Sequence, residues 1–345
     1  MIKMRILPFA LSLLVVMVLT ALAAGQSYTV KDLGVLSGYN SASASGVNDL
    51  GRVVGYSAGP AGAAAFEWTE FKGLRALKLP GGYSGSEAWA VNNFGEAVGQ
   101  AVAPDGAGHA MLWTRGGEAI DLGVPPNFRY SAAYDVNDLG EIAGWGTTAF
   151  VWTKSKGFRI LGTLPGGSSS VAWRINIFGQ VVGFSNLGSG ETHGFQWTKE
   201  HGMRDLGVLP GGSFSEALGN NNAGQIVGAS DSRDHFGLRN AHAVVWQDDG
   251  SVRDLGTLAG DNFSEAYAIN DVGEVVGYSE MLSPTADRAF VWTGPDAGMQ
   301  DLNDLIPANS GWVLNQATFV NLQGKISGFG ILNGQTHGFL LTPIR

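Results

Sequence analysis

Three observations predict an all-β fold, a seven-bladed β-propeller of four-stranded blades whose N-terminal strand completes the last blade. A turn of the form Asn-x-x-Gly recurs at Asn48, Asn92, Asn137, Asn176, Asn221, Asn270 and Asn321, with spacings of 44, 45, 39, 45, 49 and 51 residues. Four short apolar, β-branched runs accompany each turn, a period that belongs to repeated supersecondary units. The seventh unit lacks its fourth run, and a matching run, Tyr28-Thr-Val-Lys-Asp-Leu-Gly34, stands alone at the other end of the chain.

The chain has 345 residues, and its first segment reads as an export signal. Lys3 and Arg5 precede an almost continuous apolar run, Ile6 to Leu22, and small residues follow at Ala21, Ala23 and Ala24. This pattern predicts a cleaved secretory peptide over 1–24 and a single propeller domain over 28–343. The expected location is extracellular or periplasmic, with no membrane insertion after cleavage. With no cysteine, the exported chain has to hold together by packing alone.

In each unit, a first run such as Glu265-Ala-Tyr-Ala-Ile-Asn270 enters the turn and a second, such as Gly273-Glu-Val-Val-Gly-Tyr278, leaves it. Asn and Gly tolerate the positive φ of a tight corner. A third run ends in an aromatic residue in most copies, as in His109-Ala-Met-Leu-Trp113 and Thr148-Ala-Phe-Val-Trp152, and a fourth reads Met203-Arg-Asp-Leu-Gly207 or Val252-Arg-Asp-Leu-Gly256. An open stack of such units would need capping repeats, whereas the split seventh unit closes a ring. Alanine recurs in the first run (Ala44, Ala88, Ala133, Ala172, Ala217, Ala266, Ala317), where only small side chains fit about an axis. Glycine recurs in the second (Gly55, Gly99, Gly144, Gly183, Gly228, Gly277, Gly328), consistent with close approach beneath a ring of the next blade. These registers account for much of an excess of 52 glycines. The tryptophans at 68, 113, 152, 197, 246 and 292 fill the spaces between blades.

Twenty-one Lys and Arg against 30 Asp and Glu give a formal charge of -9, which argues against a nucleic-acid groove. The starts of the first and third strands meet on one loop face, and there the residues are polar. The candidate ligand-binding set is Tyr39, Glu87, His109, Tyr130, Arg174, His193, Glu216, His242, Glu265, Arg288 and His337. Four of the six histidines fall at one repeat position, which fits bracing within a blade as well as binding. His109 is expected to pair with Glu87, His242 with Glu216 and Arg288 with Glu265. Symmetry breaks at Arg129, Tyr130, Asp135, Trp173 and Arg174, and in the long loop Asp231 to Asn240 with Arg233, Asp234, His235 and Arg239. No zinc, calcium or phosphate motif is present, so no metal and no cofactor is expected, and no nucleophile elbow occurs.

The units resemble the bacterial extracellular HAF repeat, named for its His-Ala-Phe segment. The likeness rests on Asp254-Leu-Gly-Thr-Leu, Ser264-Glu-Ala, Ile269-Asn-Asp, Gly273-Glu-Val-Val-Gly and Arg288-Ala-Phe-Val-Trp292, and spans Tyr28 to Pro343. The His-Ala-Phe letters themselves are degenerate, His109-Ala-Met and His193-Gly-Phe coming nearest. The resemblance implies an exported propeller and brings no residue-level chemistry.

The function expected from these features is that of a secreted, monomeric binding propeller for a polysaccharide or an extracellular protein. The alternatives are a polysaccharide-degrading enzyme, either a glycosidase using Glu87 with Glu216 or Glu265 or a lyase using His193 or Tyr130 beside Arg174, and a non-catalytic envelope protein.

Overall fold

The computed structural model describes residues 27–233, 240–247, 249–281 and 287–344. Seven four-stranded antiparallel sheets follow one another along the chain, over 41–76, 84–123, 132–162, 170–205, 215–256, 263–301 and 312–343, and form blades 1 to 7 in that order. The first strands of successive blades touch around the axis, blade 7 meeting blade 1. A single-turn 3-10 helix, Leu302–Leu305, leads from blade 6 into blade 7.

The ring closes as the split repeat predicts. The strand Tyr28–Gly34 lies on the outer edge of blade 7, antiparallel to Gln335–Pro343, in a register that runs from Tyr28 opposite Pro343 to Asp32 opposite Phe339. Tyr28 is buried with Leu314, Phe339 and Leu341, so the seam is packed as well as hydrogen-bonded. Backbone pairing at this seam joins the two ends of the chain without a covalent link.

Between blades lie separate apolar clusters. Trp113 packs with Val54, Ala65 and Ala88 across blades 1 and 2, and Trp246 with Val182, Leu209 and Ala217 across blades 4 and 5. The second-strand glycines do sit at a close approach, but within their own blade. A Cβ on Gly277 would overlap the carbonyl oxygen of Glu265 in the first strand and press on the Phe290 ring in the third. The same clash with a first-strand carbonyl recurs at all seven positions. The third-strand ring fills the space a side chain would take, and no side chain but hydrogen fits.

Buried serines stitch neighbouring blades together. The Ser264 hydroxyl of blade 6 accepts the Ala243 N–H (2.7 Å) and donates to the Gly256 carbonyl (2.7 Å), both in blade 5. Ser131 and Ser215 repeat the arrangement. A second set, Ser57, Ser185, Ser230 and Ser279, accepts the N–H of Leu36, Leu164, Leu209 and Leu258. Ser264→Ala strands a buried donor and a buried acceptor, so it should cost about 2 kcal/mol, read as a lowered midpoint in urea unfolding. Ser264→Thr, which keeps the hydroxyl, should recover part of the loss.

Candidate binding site

One end of the ring, the Asn face, carries the Asn corners and the turns between third and fourth strands. The opposite end, the loop face, carries the loops that lead into each first strand. The predicted site residues divide among the loop face, the axial channel and the Asn face.

On the loop face, each third-strand histidine is bound by the aspartate of an Asp-Leu-Gly segment in the adjoining fourth strand. His109 Nδ1 lies 2.9 Å from Asp121, His193 Nδ1 2.9 Å from Asp205, His242 Nδ1 3.0 Å from Asp254, and His337 Nδ1 2.9 Å from Asp32 in the N-terminal strand. Arg288 takes the histidine position in blade 6 and binds Asp301 at 3.2 Å and Asp261 at 2.9 Å. The expected pairs with Glu87, Glu216 and Glu265 are therefore not formed. First and third strands are separated by the second, which puts them about 9.6 Å apart at ordinary strand spacing, while third and fourth are neighbours.

The same aspartate also accepts the N–H of the glycine two residues on, at 2.8 Å in Asp32–Gly34 and 2.7 Å in Asp121–Gly123. That glycine has φ near +80° (+81° at Gly34, +78° at Gly123), and a strand irregularity falls at the leucine before it. His and Asp thus lock a kinked strand end. Burial opposes ionisation of Asp121, but hydrogen bonds from Tyr83, His109 and Gly123 outweigh it and hold the carboxyl below its usual range. Blades 1 and 3, which have Ala64 and Thr148 in place of the histidine, have Ala76 and Ile160 in place of the aspartate. The two residue types are present together or absent together, the mark of a brace.

Along the axis, a bulge falls at the residue after the recurrent alanine in every blade: Ser45, Trp89, Tyr134, Trp173, Leu218, Tyr267 and Thr318. A bulge leaves one residue out of the ladder and re-aims its side chain. In blades 2 to 4 the bulged rings pack against one another, tilted by 34° and 51°. Trp89 and Tyr134 have centroids 4.8 Å apart, Tyr134 and Trp173 4.3 Å, and Trp173 approaches Phe184 at 6.4 Å. The Trp173 indole N–H is buried and has no hydrogen-bond partner among the described residues. Glu87 hydrogen-bonds Trp89 beneath this wall, and burial raises its carboxyl above the usual range.

The other arc of the channel is acidic. Glu216 of blade 5 and Glu265 of blade 6 hydrogen-bond each other, and Glu265 also binds Tyr267 and Tyr278. Burial pushes Glu216 up to about 8, reinforced by the charge of Glu265, and pushes Glu265 up to about 7 against the stabilising hydrogen bonds it receives. At neutral pH the pair holds at least one proton, as two carboxyls in contact must. Glu87, the partner that the glycosidase expectation gave Glu216 or Glu265, hydrogen-bonds Trp89, and its charge acts on Tyr56 and Tyr134.

Arg174 does not belong to the loop face. It lies two residues before its Asn corner, and with Asp135 and Phe319 it lines a depression of about 260 Å³ on the Asn face. Its guanidinium carbon stands 5.5 Å over the Phe319 ring, which belongs to a blade across the ring. Burial weakens its hold on the proton, opposed by the nearby charge of Asp135. In four blades this position is small (Gly46, Ala90, Gly219, Ala268), so Asp135, Arg174 and Phe319 fill the axis at this end.

Tyr39 and Tyr130 sit in lead-in loops as expected, Tyr130 against Trp145 with centroids 4.9 Å apart. In the long loop, Asp231 is buried and accepts the N–H of Ser213 (2.7 Å) and Phe214 (2.8 Å), while Asp234, His235 and Arg239 lie outside the described residues. Sequence reasoning passed over Tyr56, Trp89, Tyr134, Phe184, Tyr267 and Tyr278. A signal for four channel aromatics was present, because the residue after the repeated alanine is Trp or Tyr in four of the seven units. Among the described residues, no three His, Asp or Glu converge as a metal ion requires.

This geometry defines the class, a closed seven-bladed β-propeller. It resembles virginiamycin B lyase from Staphylococcus aureus, with a TM-score of 0.57 and 10% identity over 92% of this chain and 100% of that one. It also resembles a streptogramin B lyase, with a TM-score of 0.58 and 10% identity over 92% and 98%. At such identity the likeness is one of fold. No family model matches the chain, and no curated protein matches it by sequence.

Proposed function

We propose that this chain is a secreted binding propeller, of the HAF-repeat kind, that holds a segment of uncharged polysaccharide at the loop-face end of its axial channel. The observation that carries the reading is the aromatic wall Trp89–Tyr134–Trp173–Phe184 set against the hydrogen-bonded carboxyls Glu216 and Glu265. Aromatic rings have flat apolar faces against which sugar rings can pack. A carboxyl that keeps its proton both donates to and accepts from hydroxyls.

Binding is favoured over glycoside hydrolysis by the same pair. Glycosidases hold their two carboxyls about 5–9.5 Å apart, with the scissile bond between them. Glu216 and Glu265 hydrogen-bond each other, so this pair does not present that separation.

The test is a glycan array probed with the chain from Gly25 onward, followed by incubation with the best-retained polymer. Retention without released product is expected, and Trp173→Ala should weaken it about tenfold, the loss of one stacking contact. Release of shortened polymer would convert the reading to an enzyme. Retention of no glycan would leave a protein partner in its place.

A further inference from the structure

Twelve large apolar side chains are exposed among the described residues, and eight lie on the Asn face. Five occupy one repeat position, the third residue of the Asn corner: Leu50 (76% exposed), Phe94 (63%), Leu139 (69%), Phe178 (71%) and Val272 (67%). Leu322 adjoins them at the second residue of its corner, and Phe71 sits on the turn between the third and fourth strands of blade 1. Ile344 follows the last strand of blade 7.

The fold does not explain this choice. The corner is held by the Asn side chain and closed by Gly, and its third residue points to water, where turns favour Asn, Asp, Ser or Gly. A concentrated ring of such side chains on an otherwise polar surface marks an interaction site. We propose that the Asn face rests on a lipid bilayer surface.

Two features select lipid as the occupant. The first is the company these side chains keep. Lys31, Lys72, Arg115 and Lys325 line one groove with Leu50, Phe71 and Phe94, and Lys154 and Lys156 line a second with Phe94 and Leu139. Apolar tips between long basic side chains make up an interfacial composition, the amines reaching headgroups while the tips enter the acyl boundary. Several acids of this face are engaged internally: Asn93 binds Asp49 and Asp138, Asn92 binds Glu96, Asn137 binds Glu141 and Asn270 binds Glu274.

The second feature is where the chain enters. The strand Tyr28–Gly34 runs from the Asn face to the loop face, and the Ile344 N–H binds the Ser27 carbonyl at its start. Only Ala23 to Ser27 separate this point from the apolar run Ile6 to Leu22. Five residues reach at most about 17 Å. Until that run is removed, the Asn face is the side held toward the membrane, and the channel mouth on the loop face is turned to the surroundings.

All seven blades lie within residues 27–344, so the chain from Gly25 onward can be tested without the leader. It should float with vesicles of phosphatidylethanolamine and phosphatidylglycerol, and less with phosphatidylcholine alone. The exposed substitutions Phe94→Ser, Leu139→Ser and Phe178→Ser together should lower flotation at least tenfold and leave the unfolding midpoint within the range of the parent. Failure of the parent to float, or equal flotation of the triple variant, overturns the proposal. So does a dimer in sedimentation velocity that the triple variant dissolves, since a second copy would then cover the face.

Discussion

Asn176→Ala should destabilise the ring by about 3–5 kcal/mol, a larger loss than that expected of Ser264→Ala. The Asn176 side-chain oxygen, Oδ1, accepts the N–H of Phe178 (3.1 Å) and of Gln180 (3.0 Å), which builds the corner. Its amide donates to the Gln180 side chain (2.8 Å) and to the backbone carbonyl of Asn221 (3.1 Å) in the next blade. Asn176 itself is buried, and alanine takes the partner from two part-buried N–H groups and from the buried Asn221 carbonyl, each at about 1–3 kcal/mol.

The bond to the next blade is one link of a closed circle. Asn48 donates to the Asn92 carbonyl, Asn92 to Asn137, Asn137 to Asn176, Asn176 to Asn221, Asn221 to Asn270, Asn270 to Asn321, and Asn321 back to Asn48 at 2.9 Å. The last link joins residues 273 apart in the chain. The propeller is therefore clasped twice, at the outer edge by the N-terminal strand and at the axis by seven amides. Asn176→Asp separates the two roles. It keeps the corner's acceptor but turns a carboxylate toward the Asn221 carbonyl, so it should be less stable than the parent at pH 7 and recover part of the loss near pH 4, where the protonated acid donates again. The measurement is urea unfolding at both pH values, and an Asn176→Ala loss below about 1 kcal/mol would reduce the circle to seven independent turns.

The recurring Asn was legible in the sequence as a turn residue, and the circle was not. A turn is local and its signature is Asn followed by Gly. The link to the next blade depends on how tightly the first strands converge, which no spacing along the chain reveals. The seam was legible because a strand missing at one end and spare at the other is an accounting fact. The brace was written in the sequence as well, since the third-strand His or Arg and the fourth-strand Asp are lost together at Ala64 with Ala76 and at Thr148 with Ile160. Pairing histidine with glutamate instead came from placing residues by height on a face and ignoring the strand between them. Arg174 stands two residues from Asn176, which by itself puts it at the end away from the lead-in loops. The channel aromatics were hidden by the bulge. An extra residue breaks strict alternation, so Trp89, Tyr134 and Tyr267 read as outward positions until the ladder is seen to skip them.

The Glu216–Glu265 pair should make the protein lose stability as pH rises. Both carboxyls bind protons more tightly folded than unfolded, with values of about 8 and about 7 against an unfolded value near 4.3. The folded state therefore holds more protons between those limits, and unfolding free energy falls with increasing pH. Their contribution is complete below about pH 4, declines as each group loses its proton, and is gone above about pH 8. This is opposite in sign to a salt-bridged carboxylate, whose contribution vanishes in acid. Glu216→Gln keeps a donor toward Glu265 and removes the group with the larger upward shift, so it should be more stable than the parent by about 2–4 kcal/mol at pH 9 and nearly equal to it at pH 4. Urea unfolding across this range supplies the comparison. A parent whose stability rises from pH 5 to pH 9, or a variant that parallels the parent throughout, would mean that the folded state does not raise the proton affinity of these carboxyls. The donor offered to sugar hydroxyls would then be absent at neutral pH, and the proposed polysaccharide contact at this arc of the channel would fail with it.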